Sequence, residues 1–223
     1  MLQEIECFSG EQDVSKNVDF TREKIYQTPA GPLLLRRCCS PALVECLQAD
    51  NGLRAFARLP EREHQLLLSL ARQPENSLTL AYTPSGTIVG QASLAPIDSW
   101  WQGLDKAYEI AVEVSSGWRK LGIAHQLLAS ALEFEALESY LILGLGFSWH
   151  WDYEGLGMSR FEYREMLGKL FETYNFKEYL TSEPNIRSDP ANLLIARLGS
   201  LVDLDRINQF FLRLFQSDTL PGL

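Results

Sequence analysis

The segment Val112-Glu113-Val114-Ser115-Ser116-Gly117-Trp118-Arg119-Lys120-Leu121-Gly122-Ile123-Ala124 holds the residue types best placed to bind an anion. It reads as a strand that enters a Gly-containing turn and then a helix. Such a turn presents unpaired backbone N–H groups and the positive end of a helix dipole, which together suit a pyrophosphate. Gly122 lets the backbone approach a ligand closely, small Ala124 keeps the first helical turn open, and Arg119 can add a charge-assisted contact. Groups able to move protons stand before this turn (Glu109, Glu113), at the end of a later strand (His150, Asp152) and farther on (Tyr163). On a regular strand Glu109, Ala111 and Glu113 share one face while Ile110, Val112 and Val114 share the other, and one bulge would exchange them beyond it. Spacing alone leaves the choice of base open, and an exposed ion pair is the plain alternative for Glu113.

Two kinds of chemistry have no support. The three histidines, His64, His125 and His150, are far apart and none is near a cysteine, so no metal-ligand spacing exists. No G-x-S-x-G nucleophile elbow occurs.

The elements that must position these residues follow from punctuation and periodicity. Residues 1–29 are polar and aperiodic up to Pro29-Ala30-Gly31-Pro32 and are expected to be a loose N-terminal arm. Gly31–Cys39 reads as a strand, Ala42–Ala49 as a helix capped by Ser40-Pro41, and Leu59–Arg72 as a second helix with Leu66, Leu67 and Leu70 at helical spacing. Ser77–Pro96 is a hairpin turned by Pro84-Ser85-Gly86, and Ala107–Val114 is a further strand. A helix over Ile123–Leu137, a strand over Tyr140–Trp149, a helix over Ser159–Tyr174, strands over Phe176–Thr181 and Leu193–Arg197, and a final helix from Leu204 to Gln216 complete the order.

The chain has 223 residues, 46% hydrophobic and 22% charged, enough for one large domain with a sizeable core. Lys+Arg 20 against Asp+Glu 29 gives a formal charge of −9, which repels phosphate backbones and anionic lipid, so nucleic acid and membrane are excluded as natural partners. No apolar run reaches bilayer-spanning length, and the acidic start Met1-Leu2-Gln3-Glu4 is unlike a secretory signal, so a cytoplasmic protein is expected. Cys7, Cys38, Cys39 and Cys46 form no C-x-x-C pair and are expected to be reduced and mostly buried.

Arg119-x-x-Gly122-x-Ala124 after a Val-Glu-Val strand resembles the acetyl-CoA pyrophosphate loop of the GNAT acyltransferases, and the order of elements over roughly residues 31–198 is similar to that family. Lys169–Lys177 (KLFETYNFK) resembles its helix-end pattern, with Asn175 where glycine is commoner. Ser148–Asp152, Phe161-Glu162-Tyr163-Arg164 and Asp189-Pro190-Ala191-Asn192-Leu193-Leu194-Ile195-Ala196-Arg197 resemble a narrower branch, the acetoin-utilisation proteins, over most of residues 31–215.

The resemblance implies a mixed α/β fold: a mostly antiparallel twisted sheet of about seven strands, flanked by helices and splayed between its fourth and fifth strands (Ala107–Val114 and Tyr140–Trp149). The domain would cover residues 30–200, with 201–223 as a C-terminal helix packed on it. Acetyl-CoA is the implied co-substrate, without a metal. Its pantetheine would pair with the backbone near Val112 and Val114, and its pyrophosphate would sit on Arg119, Lys120, Leu121, Gly122, Ile123 and Ala124. The implied reaction acetylates a protein lysine, on an acyl-CoA or acetyl-CoA synthetase, and shuts that enzyme off. An amine with an ordinary pKa near about 10.4 must lose a proton before it attacks a thioester, so a base or a water chain to bulk must take it; Glu109, Glu113, His150 and Asp152 are the candidate bases, and Tyr163 can serve as acid. Two other readings carry the same residues: acetylation of a small amine such as a polyamine, and a non-catalytic protein that binds a synthetase and inhibits by occupancy. Oligomeric state is not legible.

Overall fold

The computed structural model describes residues 23–57, 59–97 and 99–216. Its strands are β1 (Lys24–Thr28), β2 (Gly31–Arg36), β3 (Gln48–Ala49), β4 (Ser77–Tyr82), β5 (Thr87–Pro96), β6 (Ala107–Val114), β7 (Leu141–Gly146), β8 (Lys177–Tyr179) and β9 (Leu193–Leu198). Its helices are α1 (Pro41–Cys46), α2 (Pro60–Arg72), α3 (Ile123–Ala131), α4 (Arg160–Glu172), α5 (Pro184–Arg187) and α6 (Leu204–Leu214). The chain forms two compact units: residues up to Pro96 with Ile110–Phe134, and Ile97–Glu109 with the residues from Glu135 onward.

In the first unit the strand order β1-β2-β4-β5 continues to β6, and β3 pairs parallel with β5. The β4–β5 hairpin is fully antiparallel, from Ser77↔Leu94 to Tyr82↔Ile88, with a register shift at Ala81/Tyr82. All six residues of β4 are buried because both faces of the sheet are covered. Val44 of α1 and Leu67 of α2 pack with Leu78, Leu80 and Ile88, while Ile123, Leu127 and Ala131 of α3 pack with Leu33, Leu35 and Val89. Two-sided cover explains the near-continuous apolar runs in the sequence.

In the second unit β6 contributes Ala107–Glu109, which pair parallel with Leu141–Leu143 of β7; the register ends there. β7 runs antiparallel to β9 along its whole length, and β9 to β8. The core gathers Leu141, Leu143, Leu194 and Ala196 from these strands with Phe210 and Leu214 of α6. Helix α6 starts at Asp203, whose side chain accepts from the Arg206 N–H.

Three expectations need correction. Residues 1–29 are not an arm throughout: Lys24–Thr28 is an edge strand antiparallel to β2, while 1–22 lie outside the described residues. Its KIYQT sequence lacks an apolar alternation because no residue of it is fully buried: Tyr26 and Thr28 are half-buried and the other three are exposed. The sheet strands number nine among the described residues, since β1 and the two-residue β3 escape pattern reading. Of the cysteines, Cys39 is buried, its thiol pushed up to about 12 chiefly by burial, but Cys38 is half-buried and Cys46 exposed; Cys7 lies outside the described residues.

Candidate active site

The strand β6 ends at Val114, and the Ser115 N–H donates to the Val89 carbonyl at 2.8 Å, tying the start of the turn to β5. The chain then passes through a short 3₁₀ turn (Ser116–Trp118) and enters α3 at Gly122. Gly122 has φ 74° and ψ 6°, a left-handed conformation that glycine adopts without cost. A Cβ there would also lie 2.7 Å from the Tyr26 hydroxyl, which donates to the Leu121 carbonyl at 2.8 Å. Tyr26 of β1 therefore buttresses the loop, a role its place in an aperiodic segment concealed. The Gly122 position gives α3 no side-chain cap, and a helix N-terminus carries the positive end of the helix dipole. Gly122 and Lys120 are exposed, Arg119, Leu121 and Ala124 half-buried, and Ile123 is buried in the core. Val112 and Val114 pack in part against the same cluster as α3.

Glu113 is not an exposed ion-pair residue. It is 8% exposed, and its Oε1 accepts from the N–H groups of Arg54 at 2.7 Å and Ala55 at 2.8 Å. Its pKa is pushed up to about 7 from an ordinary 4.5, first by burial and then by the negative charge of Glu63; the Ala55 and Arg54 amides and the Arg119 charge pull the other way. A carboxyl group at this value is half-ionised near neutrality and suited to general base work.

Sequence reasoning missed the partner of this group. Glu63, in the first turn of α2 and 2% exposed, accepts on Oε1 from the N–H groups of Phe56 at 2.8 Å and Ala57 at 2.6 Å. The loop before α2 is fixed at its other end too, where Asp50 accepts from the Gly52 N–H at 2.9 Å and from the Ser115 hydroxyl. The Ser116 N–H reaches the Gly52 carbonyl at 3.3 Å. Glu61 and Glu63 look alike in sequence, as acids near a helix start; only the buried position separates them.

His150, Asp152 and Tyr163 belong to the second unit, apart from Glu113 in the division of the chain. Ser148–His150 is a single 3₁₀ turn. Trp149 is 47% exposed and stacks on Phe147, ring centroids 4.6 Å apart and nearly parallel; His150 lies against both rings at 6.0–6.2 Å. Half-buried Trp151 stacks on Tyr163 at 5.2 Å, and exposed Asp152 accepts from the Gly155 N–H at 3.2 Å. The turn is held from behind by the Asp189–Asn192 segment. Asn192 Oδ1 accepts from the Ser148 N–H at 2.7 Å, while Asp189 accepts from the Ser148 hydroxyl at 2.9 Å and from Arg160 at 2.7 Å. Glu162, flanking Tyr163, completes a capping box with Ser159, and Arg164 pairs with Glu178. Asn175 takes the left-handed φ of 64° that explains why a glycine is common at such a turn.

A left-handed glycine at a helix start and, in the same unit, a buried carboxyl group of near-neutral pKa are features able to bind an anion and to accept a proton. The model of the acetyltransferase (GNAT) family matches residues 42–143. The acetoin utilization protein AcuA of Bacillus subtilis is 31% identical over 189 residues, covering 82% of this chain and 89% of that protein. The chain belongs to the GNAT acetyltransferase family, whose members use acetyl-CoA as co-substrate. The particular proteins it resembles over nearly their whole length are acetoin utilization proteins. AcuA of Bacillus licheniformis is 31% identical, covering 84% of this chain and 90% of its own. The crystal structure of an acetoin utilization protein from Exiguobacterium sibiricum superposes with a TM-score of 0.82 at 28% identity, over 87% of this chain and 93% of that one. The fold is thus the mixed α/β GNAT fold with a mostly antiparallel sheet and a C-terminal helix. Among the described residues no group of three or more His, Cys, Asp or Glu side chains could hold a metal, and no helix is long and apolar enough to cross a membrane.

Proposed function

We propose that this acetyltransferase acts on a lysine side chain of a protein, and that the target is an acetyl-CoA synthetase, which acetylation switches off. The observation that carries the chemistry is the buried Glu113, two strand positions from the turn that leads to the uncapped start of α3. The choice of target rests on the resemblance of Ser148–Asp152, Phe161–Arg164 and Asp189–Arg197 to acetoin-utilisation proteins, and the acidic chain suits a lysine-bearing loop. In this reading Arg119, Lys120 and the backbone from Leu121 to Ala124 hold the pyrophosphate, and the backbone of Val112 and Val114 faces the pantetheine.

Glu113 takes a proton from the lysine ammonium, directly or through water, and releases it to solvent. The freed amine attacks the thioester carbon; a C–N bond forms and the C–S bond breaks. The second proton passes from the nitrogen to solvent as the amide forms, and the departing thiolate takes one proton from solvent. His150 and Asp152 stand in the second unit as the alternative proton acceptors, and Trp149 and Trp151 there as contacts for the target.

Incubation with acetyl-CoA and purified acetyl-CoA synthetase, followed by intact-mass measurement, tests the whole reading. A catalyst adds one acetyl mass to many equivalents of synthetase and lowers its activity. Inhibition at one equivalent with no mass change would mean an occupancy inhibitor, and acetylation of polyamines alone would mean a small-amine enzyme.

A further inference from the structure

Residues Arg54 to Ala57 present four consecutive backbone N–H groups, and two buried carboxylates divide them: Glu113 of β6 takes the first two and Glu63 of α2 the last two. Four amides in series on two acids form a single strip, so neither acid can move without pulling on the amides held by the other. We propose that Glu63 is a positioning residue for acetyl transfer, fixing through this strip the place of the Glu113 carboxyl group and setting the negative field that it feels. The inference rests on the assignment of Glu113 as the base.

The strip performs two tasks at once. Both Arg54 and Ala55 amides bind Oε1 of Glu113, which leaves Oε2 as the oxygen on which a proton would sit. Burying two like charges near one another is costly, and the amides offset part of that cost for each acid. The charge of Glu63 is among the causes that raise the Glu113 pKa to about 7, so the neighbour makes Glu113 a stronger base than its amide bonds alone would allow. Among the described residues, charged groups near Glu113 include Arg119 beyond the end of β6, Arg54 in the loop, whose guanidinium donates to the Asn51 carbonyl, and Asp50 after β3, which is engaged with Ser115 and Gly52. Beside these charged groups, Glu63 both raises the Glu113 pKa and binds the same run of amides.

Glu63→Gln separates charge from geometry, because the amide oxygen can still accept from Phe56 and Ala57 while the negative charge is gone. The Glu113 side-chain carboxyl carbon is followed by carbon-13 NMR against pH and assigned by its absence in Glu113→Gln. The expected result is a titration midpoint roughly half a pH unit or more below the wild-type value, with the acidic limb of the kcat/KM profile displaced in the same direction. A folded Glu63→Gln variant with an unmoved midpoint overturns the inference. If the midpoint falls but Glu113→Gln keeps its activity, the assignment of Glu113 as base fails while the influence of Glu63 on that carboxyl group stands. Glu63→Asp covers the case in which Glu63→Gln does not fold: it keeps the charge but is one methylene short of the strip. Amide hydrogen exchange should then quicken at Arg54 and Ala55 as well as at Phe56 and Ala57, and unchanged exchange at Arg54 and Ala55 also overturns the inference.

Discussion

Glu113→Gln should make the protein more stable and less active, and the size of the first effect can be worked out. The wild-type carboxyl group is raised in the folded state from 4.5 to about 7; at about 1.36 kcal/mol per pH unit this amounts to about 3 kcal/mol. The sign follows from a folded-state pKa above the unfolded one. Below pH 4.5 the group is protonated in both states and costs nothing; between 4.5 and about 7 the unfolded chain ionises first and stability falls as pH rises; above about 7 the full cost is present. Glutamine keeps an oxygen for the Arg54 and Ala55 amides but never ionises, so its advantage should be near zero in acid and approach about 3 kcal/mol in mild alkali. Urea denaturation of both proteins, from below pH 4.5 to above pH 7, reads this difference directly. In parallel, turnover should fall by about 10²–10⁴ with acetyl-CoA affinity nearly unchanged. Equal stability at every pH, or a glutamine variant that is weaker above pH 7, would refute the reasoning: the two amides would then outweigh burial, and Glu113 would be an ionised strut.

Gly122→Val should raise the acetyl-CoA dissociation constant at least tenfold, about 1.4 kcal/mol, by calorimetry on the folded variant; because a Cβ at Gly122 also meets the Tyr26 hydroxyl at 2.7 Å, Tyr26→Phe is the control for disturbance of the loop alone. Trp149→Ala should weaken the complex with the synthetase by about 2 kcal/mol without lowering the thermal midpoint, since this ring is 47% exposed. Trp151→Ala should lower the midpoint as well, since Trp151 is stacked on Tyr163; an unchanged midpoint would make Trp151 an interface residue only. Asn192→Ala strips the buried Ser148 N–H of its acceptor, while the Asn185 carbonyl keeps the hydroxyl and N–H of Ser188, and should cost about 1–3 kcal/mol for the one group left unpaired, measured by chemical denaturation.

The sequence by itself determined the elements whose own residues carry their signals. Strand β6 was legible to the residue, α2 to within one position, and the start of α3 at Ile123, because alternation, a first-turn proline and a left-handed glycine are local properties. The course of the turn from Ser115 to Ala124, with its left-handed Gly122, was legible for the same reason. The environment of Glu113 was not. Alternation places it opposite Val112 and Val114, but whether that face meets water depends on the Arg54–Ala55 loop and on Glu63, some fifty to sixty positions earlier. Glu63 and Glu61 are indistinguishable as letters, and a segment as polar as KIYQT becomes a strand only because β2 offers it an edge. The chemistry of Glu113 likewise comes from tertiary structure, since the pKa of a carboxyl group is set by the water it loses and the charges it meets. Here those are the shelter of a loop, two amides and a second buried acid, brought together from three separate stretches of chain.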